Sequence, residues 1–272
     1  MKIGRPVFAG LLNFLIKKNI DMKKVMLLFI ISSFCMAQGL KRKLIWEENF
    51  NNKVNESVWN FEVGDGCPNL CGWGNNERQI YTKTNHEIKE GNLVIEARKE
   101  GEKYTSTKIT TKGKKEFLYG RIEARAKLPI GHGLWPAFWM LGANIDEVKW
   151  PKTGEIDILE YIGRDPHMVY TTLHTQDSHG NTINTKRTEF PKIEEGYHIY
   201  AIEWNKDKID FFVDEILVYT FDPEVKNEDT WPFDKPFYII INLAIGGNFG
   251  GPAVDDTVLP QKFYIDYVRV YK

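Results

Sequence analysis

The chain has 272 residues, with 36 basic and 37 acidic side chains and 13% aromatic residues. That aromatic content and a charged fraction of 27% exclude an intrinsically disordered chain. Residues 1–37 contain six basic side chains and one acidic side chain, so the rest of the chain carries a net charge of about −6. A nucleic acid is therefore not expected as a partner, because binding to it needs a cationic surface.

Residues 1–37 are interpreted as a leader that is removed. Two lysines precede an uncharged stretch over residues 25–34, and small residues follow before Gln38. This pattern predicts a signal peptide over residues 22–37 that is cleaved near Ala37/Gln38, giving a secreted or periplasmic protein. A lipid anchor on Cys35 is the alternative, although Phe34 stands where a small residue is expected. The apolar stretch is too short to span a bilayer, so we expect no stable membrane insertion of the mature form. Residues 1–21 precede a better-placed methionine and are interpreted as an over-extended start.

Strand patterns fill residues 38–272, which we interpret as a single domain. Alternating or β-rich runs occur at Asn92–Arg98, Tyr104–Thr111, Tyr119–Leu128, Val169–His174, Tyr197–Trp204, Ile209–Val213, Leu217–Phe221, Phe237–Leu243 and Phe263–Tyr271. Turn residues separate these runs, and Asn205–Asp207 and Asp214–Glu215 predict short hairpin connections. No convincing amphipathic run is longer than about two helical turns. The pattern predicts an all-β sandwich.

Two cysteines remain in the mature chain, Cys67 and Cys71. In a secreted protein, an even pair favours a disulfide that restrains a surface loop. Zinc binding is the weaker alternative, because no histidines stand at the spacing of a zinc site.

Three carboxylates lie close together in the segment Glu155-Ile-Asp157-Ile-Leu-Glu160. Alternation along a strand places Glu155 and Asp157 on one face, and Glu160 on the other. A β-bulge among Ile158–Glu160 would return Glu160 to the first face and leave Ile156 in the core. The two glutamates could then bring their carboxyl groups within about 5–5.5 Å, as in a retaining glycosidase.

This acidic row has three interpretations. A solvated charged face is the most common one, and a calcium or magnesium cluster is the second, although the usual loop spacing of such sites is absent. Acid–base catalysis on a sugar is the third. Indole faces suit pyranose rings, and four tryptophans that lie nearby in sequence or in the cysteine loop favour this third interpretation: Trp135, Trp139, Trp150 and Trp73. Three others are expected to pack in the core: Trp46, Trp59 and Trp204.

The segment Glu155–Glu160 resembles the ExDxxE signature of glycoside hydrolase family 16. Further motifs resemble its laminarinase branch, the endo-β-1,3-glucanases: Gly72–Glu77, Tyr119–Arg125, Gly133–Gly142, Thr172–His174, Asn242–Gly247 and Tyr264–Tyr271. The resemblance extends from Leu44 to Lys272. It implies a β-jelly-roll sandwich of two antiparallel sheets with a concave substrate cleft, and hydrolysis with retention of the anomeric configuration.

The resemblance also implies roles for individual residues. Glu155 would be the nucleophile, Glu160 the general acid/base, and Asp157 would keep Glu160 protonated and orient Glu155. Contacts to sugars are implied for seven residues: Trp135, Trp139, Trp150, Asn75, Arg78, His174 and Asn242. For His174 the alternative is a strand histidine that is satisfied by the backbone. The expected substrate is a β-glucan polysaccharide of the laminarin type, with no cofactor needed for catalysis.

Members of the family frequently bind a structural Ca²⁺ ion on the convex side. Gly91 and Asp266 match the family's ligands, but Asn49 stands where an acidic residue is expected, and one less negative ligand should weaken binding. A second departure is Phe249, which replaces a tryptophan that members often carry.

Two alternatives to a β-1,3-glucanase stay open. Agarases and carrageenases of the same family share the bulged signature, but sulfated substrates call for cationic clefts, and the mature chain is acidic. A non-catalytic glycan-binding β-sandwich would need the tryptophans but not the pair Glu155 and Glu160. We expect the mature protein to be a monomer.

Overall fold

Eighteen strands are the main regular elements of residues 42–272, the part of the chain that the computed structural model describes. The strands are β1 (Leu44–Glu48), β2 (Asn60–Glu62), β3 (Gln79–Tyr81), β4 (His86–Lys89), β5 (Asn92–Glu100), β6 (Lys103–Ser106), β7 (Lys108–Thr110), β8 (Glu116–Phe117), β9 (Gly120–Lys127), β10 (Leu134–Gly142), β11 (Glu155–Glu160), β12 (Met168–His174), β13 (Thr185–Glu189), β14 (His198–Trp204), β15 (Ile209–Val213), β16 (Ile216–Phe221), β17 (Phe237–Ile245) and β18 (Gln261–Tyr271). Two one-turn helices, α1 (Ile145–Val148) and α2 (Gly247–Gly250), and two 3₁₀ turns, Cys71–Gly74 and Asp256–Val258, complete the regular elements.

Three predictions fall on residues 1–41: the leader with its cleavage site, the over-extended start and a lipid anchor. They lie outside the described residues. Within residues 42–272, no helix is both long and apolar enough to cross a membrane.

The strands form two sheets. The ten-stranded sheet has the order β16-β15-β14-β9-β18-β5-β6-β3, with β1 paired to β18 and β4 paired to β5. The eight-stranded sheet has the order β13-β12-β11-β10-β17-β7-β2, with β8 paired to β17. Among these pairs only β3 and β6 run parallel. The predicted sandwich of two antiparallel sheets is confirmed.

A single large apolar core lies between the two sheets. Ile122 and Phe211 contribute to it from the ten-stranded sheet, and Ile156 and Ile241 from the eight-stranded sheet. Alternation along each strand then turns the remaining side chains of the eight-stranded sheet to its outer face, which carries the polar cleft residues. The expected core positions of Trp59 and Trp204 are confirmed, with 0% and 2% exposure. The third, Trp46, is half-buried against Trp59.

The predicted run Tyr104–Thr111 is two strands rather than one. It leaves the ten-stranded sheet after β6 and enters the eight-stranded sheet as β7. Between them, Thr107 Oγ1 donates a hydrogen bond to the carbonyl oxygen of Thr82, 2.8 Å away. The β-rich composition continues through this corner, so the sequence does not reveal it.

The predicted hairpins are confirmed. The side chain of Asn205 accepts hydrogen bonds from the amides of Asp207 and Lys208, which closes the turn between β14 and β15. Asp214 and Glu215 have φ angles of 48° and 64° between β15 and β16. Positive φ at both central residues is the geometry of a two-residue turn that matches strand twist.

Candidate active site

One inserted residue in β11 places the third carboxylate. Opposite β10, Trp139 pairs with Asp157, and the preceding Phe138 pairs with Leu159, so Ile158 has no partner there. The same extra residue separates Asp157 from Glu160 opposite β12. Because Ile158 and Leu159 are both fully buried in the core, the strand regains its alternation one residue late. Glu155, Asp157 and Glu160 then share the outer face.

Each glutamate of this row accepts a hydrogen bond from an indole. Trp150 Nε1 donates to Glu155 Oε2 at 2.7 Å, and Trp135 Nε1 donates to Glu160 Oε1 at 3.0 Å. Thr172 Oγ1 lies 3.4 Å from the second oxygen of Glu160. These donors fix both carboxyl groups in position without supplying a positive charge.

Burial raises the pKa of all three carboxyl groups in this row. Loss of hydration, followed by the charge of Asp157, raises the pKa of Glu155 to about 8. Loss of hydration raises the pKa of Glu160 to about 7. The pKa of Asp157 lies well above its usual range, because the group is buried and faces the charge of Glu160. The row therefore retains protons near neutral pH, and Glu155 and Asp157 share a hydrogen bond that one of these protons can form.

His174 lies at the Glu155 end of the row, directly opposite that residue in the β11–β12 pair. Its Nε2 is 3.4 Å from Asp157 Oδ2 and 3.9 Å from Glu155 Oε1. Its Nδ1 is buried and has no hydrogen-bond partner among the described residues. No backbone atom of the described residues therefore satisfies Nδ1, and a contact between His174 and a sugar stays a prediction.

The predicted tryptophans form walls on both sides of the row. Trp150 is 44% exposed and packs its ring against His174. Trp135 stands edge-on to Phe249 with ring centroids 5.5 Å apart, and Phe249 in turn meets Tyr170 at 5.0 Å. The phenylalanine that departs from the family pattern thus still connects two aromatic rings beside Glu160.

The third tryptophan, Trp139, is held by a network that crosses the sheet. Its Nε1 donates to Asn242 Oδ1 at 2.7 Å, and Asn242 Nδ2 donates to Tyr81 Oη at 3.0 Å. Tyr81 in turn donates to Glu77, whose pKa is raised by burial. Asn242 is 6% exposed, and both the oxygen and the nitrogen of its side-chain amide form hydrogen bonds within this network. A contact between Asn242 and a sugar stays a prediction, whereas its hold on Trp139 is visible in the structure.

The other two predicted sugar-binding residues lie around the cysteine loop. Asn75 is half-buried, and its carbonyl oxygen accepts from the amide of Asn248 at 2.7 Å. Arg78 is exposed and its guanidinium lies over the ring of Tyr104, 4.8 Å from the centroid. The predicted disulfide Cys67–Cys71 is present, with Cα atoms 4.2 Å apart.

Several residues of the outer face were missed by the sequence analysis. Tyr170 pairs with Glu160 on one side and Arg187 on the other, and Arg187 forms an ion pair with Asp165 at 2.6 Å. A signal was available: Tyr170, Thr172 and His174 alternate along β12. At the other end of the same outer face, Lys108 forms an ion pair with Glu62. Its ammonium group lies over two indoles, 4.2 Å from the ring of Trp73 and 5.3 Å from that of Trp139.

The predicted calcium ligands lie on neighbouring segments, where β1 and β5 both pair with β18. Gly91 and Asn49 flank the part of β18 that contains Asp266. Asp266 Oδ2 already accepts from Arg125 at 2.5 Å, and Asn49 Oδ1 accepts from Arg269 at 3.4 Å. A donor set with a single carboxylate, in which two of the ligands already accept from guanidinium groups, is poor for a divalent cation.

Known proteins resemble this chain over most of its length. The family model described as glycosyl hydrolases family 16 matches residues 74–269. The β-glucanase of Rhodothermus marinus is 40% identical over 250 residues, which cover 85% of this chain and 85% of that protein. The crystal structure of laminarinase from Flavobacterium sp. UMI-01 is 68% identical with a TM-score of 0.83, covering 85% of this chain and all of that one. The laminarinase catalytic domain from Thermotoga maritima MSB8 is 43% identical with a TM-score of 0.80, covering 85% and 98%. The chain belongs to glycosyl hydrolase family 16.

Proposed function

We propose that this protein is an endo-acting, retaining glycoside hydrolase that cleaves β-1,3-glucan of the laminarin type. The observation that carries the proposal is the bulge at Ile158, which puts Glu160 on the same face as Glu155. The similarity to laminarinases, at 68% identity in one case, supports the choice of substrate.

Turnover explains the acidic row better than glycan binding alone. Burying three carboxyl groups together costs free energy and raises their pKa values. A binding module gains nothing from that cost, because the tryptophans alone provide stacking surfaces. A hydrolase needs one carboxylate and one carboxylic acid side by side, which such a row supplies.

In the proposed reaction, Glu155 attacks the anomeric carbon as the glycosidic bond breaks, and Glu160 gives its proton to the departing oxygen. The resulting glycosyl-enzyme ester is then attacked by water. Glu160, now a carboxylate, removes a proton from that water, and Glu155 is released as a carboxylate. Asp157 holds the proton shared with Glu155, which leaves Glu155 charged for the attack. These steps use side chains alone.

The charges of the outer face favour a neutral glucan over a sulfated galactan. Lys108 and Arg187 lie on either side of the acidic row, and each already faces a carboxylate, Glu62 and Asp165. A sulfate ester would have to displace one of these partners. We assign the sugar-stacking surfaces to Trp135, Trp139 and Trp150, and contacts with sugar hydroxyl groups to Asn75, Arg78, His174 and Asn242. The protein is proposed to act as a monomer.

The function is tested with a reducing-sugar assay on laminarin, mixed-linkage glucan, agarose and carrageenan in parallel. We expect release from laminarin, and a loss of at least about 10³-fold in Glu155→Ala and Glu160→Ala, with each variant still folded as judged by a cooperative melting transition. Release from agarose alone would overturn the substrate, and near-normal turnover by either variant would overturn the roles.

Rescue by azide separates the two roles on a laminari-oligosaccharide with a good aryl leaving group. In Glu155→Ala, azide fills the vacated space and should give the α-glycosyl azide. In Glu160→Ala, the glycosyl-enzyme forms and azide should give the β-glycosyl azide, because it attacks the ester on Glu155. Exchanged products would reverse the assignment.

The raised pKa values predict how stability depends on pH. A buried carboxyl group with a folded pKa of about 7, as for Glu160, stabilises the fold while it is neutral. That contribution is fully present below its unfolded pKa and disappears as the pH rises through 7. Glu160→Gln should therefore melt several degrees above the wild type at pH 9 and close to it at pH 4, at about 2–4 °C per kcal/mol.

Glu102→Gln is the matched control for this experiment, because Glu102 is exposed in the turn between β5 and β6. Its melting temperature should follow the wild type at every pH. An equal difference between Glu160→Gln and the wild type at pH 4 and pH 9 would contradict the prediction.

A structural Ca²⁺ ion at Asn49, Gly91 and Asp266 is the remaining part of the proposal. Because Arg125 and Arg269 compete for its ligands, we expect millimolar affinity and a gain of only about 0.4 kcal/mol when the calcium concentration equals Kd. Scanning calorimetry in EDTA and in about 5 mM CaCl₂, a concentration in the range of the expected Kd, measures this gain. Arg125→Ala should increase it, and a large gain in the wild type would show a tight site instead.

We also propose that the protein is secreted or enters the periplasm after cleavage near Ala37/Gln38, with residues 38–272 forming the catalytic domain. Sequencing the N-terminus of the exported protein checks this. A mature chain beginning far from Gln38 would contradict it.

A further inference from the structure

Three side chains of the cleft bring metal-binding atoms close together. His174, Asp157 and Glu155 each offer one such atom, and all three atoms lie within 4.8 Å of one another. His174 Nε2 is 3.4 Å from Asp157 Oδ2 and 3.9 Å from Glu155 Oε1. Within residues 42–272, no other group of three histidine, cysteine or acidic residues meets that criterion.

A second observation points to a ligand. Asp157 is 3% exposed, and its Oδ2 has no hydrogen-bond partner among the described residues although it lies beside His174. A buried oxygen of this kind costs free energy until a proton or a cation meets it. Trp150 holds the other oxygen of Glu155, Oε2, so that Oε1 is the one that lies on the side of His174.

The spacing fits zinc. Bonds of 2.0–2.1 Å in a tetrahedron place neighbouring ligand atoms about 3.3–3.4 Å apart. The separation of 3.4 Å between His174 and Asp157 already matches, and the separation of 3.9 Å between His174 and Glu155 exceeds it by roughly half an ångström. One imidazole with two carboxylates suits Zn²⁺ or Cu²⁺ and does not suit Mg²⁺ or Ca²⁺, which prefer oxygen ligands alone.

We propose that His174, Asp157 and Glu155 bind one Zn²⁺ ion reversibly, and that this ion inhibits the enzyme. The ion replaces the proton shared by the two carboxyl groups and leaves its fourth position open to water. It occupies Glu155, the proposed nucleophile, so that part of the inference rests on the proposed function. Because His174 Nδ1 lacks the partner that normally orients a zinc-binding histidine, the site suits an exchangeable ion rather than a resident one.

Binding is measured by titration calorimetry with zinc chloride on protein stripped with EDTA. We expect a single site in the wild type, and a Kd at least ten-fold weaker in His174→Ala and in Glu155→Gln. His132→Ala is the matched control and should bind like the wild type, because His132 is an exposed histidine outside the cluster. Magnesium at the same concentration should give no heat. Unchanged zinc binding in His174→Ala, or no binding in the wild type, would overturn the proposal.

Inhibition is measured separately on laminarin. Zinc should raise KM without lowering kcat, EDTA should restore activity, and the inhibition constant should rise at least ten-fold in His174→Ala. Inhibition that laminarin does not relieve would place the ion elsewhere and overturn the inference. If zinc binds through His174 but laminarin is not cleaved, the metal site stands and the proposed function fails.

Discussion

The site depends on one inserted residue. Without Ile158 as a bulge, Glu160 would turn into an apolar core that already contains Ile156 and Leu159. With it, three carboxyl groups face the cleft from one strand, at spacings that the backbone of two neighbouring strands fixes. Loops could not hold them so firmly, because β10 and β12 pair with β11 along almost its whole length. The chemistry is therefore a consequence of strand register.

Burying three carboxyl groups in this register lowers the stability of the fold, and the hydrogen-bond donors around the row partly offset that loss. Trp150 and Trp135 donate to Glu155 and Glu160 through neutral indoles. Had arginines stood there, they would have stabilised both carboxylates and lowered both pKa values, leaving no acid to protonate a leaving group. Neutral donors orient the oxygens while burial keeps protons on the row. The apolar core between the two large sheets is extensive enough to offset this local loss of stability.

Local sequence pattern predicted much of the fold and the site. Alternation and turn residues gave most of the long strands and both hairpins, and the five-residue spacing from Glu155 to Glu160 required a bulge. Long-range arrangements were beyond it. The contacts from Trp139 through Asn242 and Tyr81 to Glu77 join three segments that are distant in sequence, and no periodicity encodes them. The strand β10 was missed for a different reason: it is apolar on both faces, so it lacks alternation.

The same features that prepare the row for catalysis make it a candidate for metal binding. An acid that must hold or release a proton cannot be fully satisfied by fixed hydrogen bonds, so Asp157 keeps a bare oxygen. A histidine placed near enough to influence Glu155 and Asp157 adds a nitrogen ligand to that oxygen. Full hydrogen bonding of Asp157 would remove the metal site, but it would also stabilise the carboxylate and take away the shared proton. The proposed inhibition by zinc would in this sense be a by-product of a carboxyl row that burial keeps partly protonated.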